Sequence, residues 1–94
     1  MDETNNKIDL QKFIDEHNTD ISLAKLNDLI NARENPLDQF YYLRGDIYRK
    51  KGDWQHAISS YLYAIEINPE SPAVEAYKMA MEILEFYNKD MYNQ

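Results

Sequence analysis

The 94-residue chain is predicted to be all-α, and three observations carry the prediction. Apolar residues recur at intervals of three and four along most of the sequence, the period of one helix face. Two glycines and three prolines are too few for the many turns of a β fold. The residue mix is rich in Leu, Ile, Ala, Glu and Lys, which favour helix or tolerate it well. An apolar fraction of 44% is enough for one modest core, so residues 1–94 are expected to form a single domain.

About five helices follow from this pattern. The first is expected over 6–17, with Ile8, Leu10, Phe13 and Ile14 on its apolar side and Asn5 or Asn6 as cap. The run His17-Asn18-Thr19-Asp20 breaks the period and offers N-cap residues for a second helix over 20–34. There Leu23, Leu26 and Ile30 form a stripe that Ala24 and Leu29 broaden. Asn35-Pro36 is expected to open a third helix reaching Lys51, because proline is tolerated in the first turn. Gly52 supplies a left-handed terminator and Asp53 a cap for a fourth helix, Trp54 to Ile67. So short a break forces an antiparallel hairpin. Asn68-Pro69 ends that helix. Ser71-Pro72 starts a fifth, running to about Asp90, and the polar tail from Asn88 to Gln94 is expected to fray.

Within this hairpin, small and aromatic residues fall at regular offsets. Tyr41, Gly45 and Tyr48 precede the break, and Ala57, Tyr61, Ala64 and Pro69 follow it. Glycine in mid-helix costs about 1 kcal/mol relative to alanine, so Gly45 implies a packing reason. The spacing resembles the tetratricopeptide repeat, in which an aromatic, a glycine, a tyrosine, an alanine and a closing proline recur over about 34 residues. The resemblance is good over 38–71. Stepping back 33 residues takes Pro69 to Pro36, Ala57 to Ala24 and Asp53 to Asp20, so 4–36 reads as a degenerate copy. Residues 72–91 then form a closing helix. Arg44 departs from the family's usual leucine before the glycine, and Leu43 is expected to supply that apolar contact.

The resemblance implies a right-handed helical stack and a non-catalytic adaptor or assembly scaffold that binds a protein or peptide. It places the concave groove at Gln39, Tyr42, Asp46, Arg49 and Lys50. Helical spacing puts these five on one face independently. They suit a peptide carrying some acidic groups, or they form an ordinary solvated face. The family's subgroup that clamps C-terminal carboxylates uses Lys and Asn where Tyr42 and Asp46 stand, so that activity is not implied.

The closing helix is apolar over more than half its circumference. Ala73, Tyr77, Ala80, Leu84, Tyr87 and Met91 form one stripe, and Ala76, Met79, Ile83 and Phe86 extend it. The end of a helical stack is ordinarily polar outside. The residues Ala76, Met79, Ile83 and Phe86 are therefore candidates for a homodimer contact, and a self-assembling module without a peptide ligand is the alternative to the adaptor.

Net charge is −7, which disfavours nucleic acid and anionic membranes as partners. The one basic segment is 39–53, with Arg44, Arg49, Lys50 and Lys51 against Asp46 and Asp53. There is no cysteine, and neither His17 nor His56 has acids in metal-ligand register, so no metal, cofactor or thiol chemistry is expected. No phosphate loop or nucleophile motif occurs, and an enzyme is not expected. No apolar run suits a membrane span, and the N-terminal segment is acidic where a secretory signal is basic, so the expected location is cytoplasmic.

Overall fold

The computed structural model describes residues 3–92, with side chains from Leu10 to Tyr87. Five α-helices occupy them: α1 (Glu3–Glu16), α2 (Thr19–Asn31), α3 (Asp38–Lys50), α4 (Trp54–Ile67) and α5 (Ala73–Tyr92). No strand occurs among the described residues. Each helix packs on its neighbours in the chain, and the α3–α4 interface is the most extensive.

Local chemistry explains most boundaries. Asn18 caps α2, its side-chain oxygen accepting from the Ile21 N–H at 2.8 Å. Asp53 caps α4 through the His56 N–H, and its second oxygen meets His56 Nδ1 at 2.8 Å. Chiefly because of that backbone bond, the Asp53 carboxyl lies below its usual range. Gly52 turns the chain with φ of +80°, which an L side chain rarely adopts. The Ser71 hydroxyl accepts from the Ala73 N–H and starts α5.

Four predicted boundaries are corrected. α1 begins at Glu3, so Asn5 and Asn6 lie inside it. α2 stops at Asn31 rather than residue 34, with Ala32 as its C-cap and the Ala32 N–H donating to the Asp28 carbonyl. α3 begins at Asp38, not at Asn35-Pro36. Its N-cap is Leu37, which makes no side-chain cap bond and packs instead on the buried cluster. An apolar contact there replaces a polar cap. α5 runs to Tyr92, through most of the tail expected to fray.

The core has two parts, one on each side of α3. Leu10, Leu23, Leu26, Ile30, Phe40 and Ile47 join α1, α2 and α3. Ala57, Tyr61, Ala64, Ala73 and Ala80 join α4 and α5, with Tyr41, Tyr42 and Tyr48 reaching over from α3. The hairpin is antiparallel: Tyr48 stacks on His56 near the turn, Tyr41 on Tyr63 further out, and Asp38 meets Asn68 at the far end.

The closest approach is at Gly45. A Cβ there would lie 2.5 Å from Cε1 and 2.6 Å from Cδ1 of Tyr61, whose ring is 0% exposed. Glycine is required because the ring occupies the space a side chain would take. Full burial of such a ring contributes about 2–3 kcal/mol.

The 33-residue register is also corrected. Ala24 is exposed, whereas Ala57 is fully buried. The caps Asn18 and Asp53 are 35 residues apart, and that step takes Ala57 to buried Ser22, Tyr61 to Leu26 and Gly45 to Leu10. Leu26 is narrower than a phenol ring, so α1 carries a leucine where α3 needs a glycine. The Ser22 hydroxyl is buried without a protein hydrogen-bond partner at the site where α4 has alanine.

Arg44 links three helices. Its Nε donates to Ser60 Oγ of α4 and its Nη1 to Asn27 Oδ1 of α2, both at 3.0 Å. Its guanidinium lies 4.9 Å from the Tyr41 ring centroid. Leu43 packs on the first cluster, as expected.

Two outcomes follow, each measured by urea unfolding. Gly45→Ala is expected to cost about 1–3 kcal/mol through overpacking, against a helix-propensity gain of about 1. In a Tyr61→Leu background the same change is expected to be neutral or stabilising, since the ring is gone. Arg44→Met is expected to cost about 1–3 kcal/mol by leaving buried Ser60 unpartnered, and less when Ser60→Ala accompanies it.

Candidate functional site

α3 presents three faces because it lies between the two core clusters. Phe40 and Ile47 are buried on the α1–α2 side, and Gly45 and the half-buried Tyr41 and Tyr48 meet α4. The remaining face carries Gln39, Tyr42, Asp46 and Arg49, at helical intervals of three and four.

The structure divides that face into two regions. Gln39 and Tyr42 open onto a pocket of about 330 Å³. Its other walls are Leu10 and Gln11 of α1, Asp38 and Leu43 of α3, and Asn68 and Pro72 between α4 and α5. Leucine and proline carbons form one part of the lining. Amide, phenol and carboxylate groups form the other. Asn68 Nδ2 donates to Asp38 Oδ2 at 3.4 Å, a long bond that fixes the carboxylate only weakly.

The second region is tied into the core. The buried Tyr61 hydroxyl donates to Asp46 Oδ1 at 2.5 Å, and Arg49 Nε lies 3.8 Å from the same oxygen. Burial raises the Tyr61 pKa far above its ordinary value, and the bond to Asp46 and that carboxylate's charge raise it further. Tyr42 is also raised, first by burial and then by the Asp46 charge. Asp46 thus holds Tyr61 in place. Lys50 is exposed in the last turn of α3, where a cation is favoured by the helix dipole.

These contacts correct the charge expectation for the groove. Arg44 is engaged by Ser60 and Asn27, Arg49 faces Asp46, and Lys51 bonds Asp20 of α2 at 2.7 Å. Three of the four bases of segment 39–53 therefore serve the fold, and among the described residues no base lines the pocket.

The α5 candidates separate as well. Ala76 packs on the α4–α5 cluster beside buried Ala73 and Ala80, so it belongs to an internal interface. Ile83 is half-buried, whereas Met79 is 59% and Phe86 63% exposed. The Met91 side chain of the predicted stripe lies outside the described residues. α5 has 20 residues against 14 in α4, an excess of about 9 Å of helix. Pro69, expected among the packing residues, is exposed and acts by ending α4. His17 stacks on Phe13 and hydrogen-bonds the Phe13 carbonyl. Among the described residues no group of acids or histidines could hold a metal ion.

Sequence reasoning missed Leu10, Asp38, Asn68 and Pro72 as pocket residues. They belong to three separated segments, and Asn68 and Pro72 read as helix terminators. Only their convergence on α3 makes a site. Arg44 had a signal, its departure from leucine, but Asn27 and Ser60 carried none.

Among the described residues no helix is long and apolar enough to cross a membrane. Comparison with curated proteins gives no match. A protein of Bacteroides fragilis, solved by solution NMR, is 48% identical, with 90% of this chain and 86% of that chain covered and a TM-score of 0.73. The family pattern described as the tetratricopeptide repeat matches residues 39–71, which are the α3–α4 hairpin and the turn after it. With the Gly45–Tyr61 contact at the centre of that hairpin, the chain belongs to the tetratricopeptide-repeat family.

Proposed function

We propose that this chain is a non-catalytic, cytoplasmic adaptor or assembly scaffold that binds a peptide segment of a partner protein across α3. The family supports the general role of a protein–protein interaction module. The observation that carries the finer reading is the pocket at Gln39 and Tyr42, walled by α1 on one side and the α4–α5 link on the other. At about 330 Å³ it holds one or two side chains of an extended peptide, at the lower end of the usual range for ligand pockets. In this reading α1 and α2 form a worn first repeat in the 35-residue register, and α5 closes the stack.

A second reading rests on the apolar surface of α5. Met79, Phe86 and Tyr87 are each more than half exposed, and Ile83 lies half-buried on the same helix. Exposed apolar area of this kind favours association with a second copy. Both readings hold together if the dimer leaves α3 open.

A random nonapeptide library displayed on phage is expected to yield binders whose synthetic copies lose at least tenfold affinity for Tyr42→Ala, read by fluorescence anisotropy. Unchanged affinity contradicts the groove reading. In sedimentation at tens of micromolar, the wild-type chain is expected at twice its 11.2 kDa mass. Ile83→Asp with Phe86→Asp is expected to give the monomer. A monomeric wild-type chain contradicts the dimer.

A further inference from the structure

Charge and shape in the α3 pocket name the chemistry of its occupant. Leu10, Leu43 and Pro72 supply aliphatic lining, and Asp38 supplies a carboxylate. Among the described residues Asp38 has no ion-pair partner, and its one side-chain hydrogen bond is the 3.4 Å bond accepted from Asn68 Nδ2. Asp38 lies in the first turn of α3. A second carboxylate is tethered nearby, since Gln11 of the pocket wall donates to Asp15 at 3.1 Å. Tyr42 adds an aromatic ring to the lining.

An acidic group in this pocket meets Asp38, and among the described lining residues no base offsets it. A purely apolar group covers Asp38 and removes it from water without a partner, which is unfavourable. Lysine and arginine satisfy both halves at once, an alkyl stem against leucine and proline and a charged head on the carboxylate. An aromatic residue in the lining, Tyr42, is compatible with the same cation. The net charge of −7 draws a basic partner toward the surface before contact.

We propose that the pocket between α1, α3 and the α4–α5 link seats a lysine or arginine side chain, so that the partner is a basic peptide segment. The inference rests on the groove reading above and extends it to the class of ligand. It reverses the expectation from sequence, in which the bases of α3 were to meet an acidic peptide.

The test uses the full chain and the selected nonapeptides, with Asp38→Asn as the variant. Selected sequences are expected to be enriched at least twofold in Lys and Arg, and binding is expected to weaken as salt rises. Asp38→Asn is expected to reduce affinity for a selected peptide at least fivefold, yet less than twofold for the same peptide with norleucine or citrulline in place of its Lys or Arg. Its circular-dichroism melting temperature is expected to stay within about 2 °C of wild type, since asparagine is isosteric and the substitution is near the surface. Enrichment in acidic or uncharged peptides, with binding still dependent on Tyr42, overturns the cation assignment and leaves the groove intact. Equal weakening of charged and neutral peptides by Asp38→Asn also overturns it. If the library yields no binder, the groove reading and this inference fall together.

Discussion

The ring of Tyr61 against the backbone of Gly45 is the constraint on which the rest of the structure depends. It requires glycine at that one position of α3, because a Cβ would enter the ring. It brings α3 and α4 together closely enough for Arg44 to span Ser60 and Asn27 on the far side of the crossing. It also carries the tyrosine hydroxyl through to Asp46, on the face of α3 proposed as the groove. One contact therefore fixes the hairpin, orients α3 about its own axis and decides which of its side chains face outward. In the α1–α2 pair Leu10 and Leu26 stand in the corresponding places and share one buried cluster, but the two helices meet far less extensively than α3 and α4.

How much of this was legible in the sequence depended on whether the cause was local. Gly52, Asp53 and the span Trp54–Ile67 were read correctly, because turn and cap chemistry lie within a few neighbouring residues. Gly45, Ala57 and Tyr61 were read as contact residues from their spacing and its resemblance to the repeat, and all three are buried. The start of α3 was misread because Asn35-Pro36 is a good local cap signal, and Leu37 prefers the core. The register of the first pair was misread because two prolines happen to stand 33 residues apart, whereas the caps and the buried residues repeat at 35. The prolines mark loops of unequal length. The buried positions record the packing.

The candidate site was legible as a face but not as a charge pattern. Helical spacing placed Gln39, Tyr42, Asp46 and Arg49 together, yet it could not reveal that Asp46 holds Tyr61 or that Lys51 reaches Asp20. A count of Lys and Arg along segment 39–53 suggested a basic surface. Two of those four cations are engaged by neighbouring helices and a third by Asp46 of α3 itself, and the pocket is lined instead by Asp38. In a small helical stack, charges on a central helix are used to hold its neighbours before they are available to a partner.

The most direct test of the central contact is nuclear Overhauser spectroscopy of the chain in solution. Close packing of the Tyr61 ring on Gly45 predicts strong cross-peaks between the Gly45 α-protons and the Tyr61 ring protons, with the glycine signals displaced by ring current. Gly45 α-protons at ordinary shifts, with no cross-peak to that ring, would contradict the account.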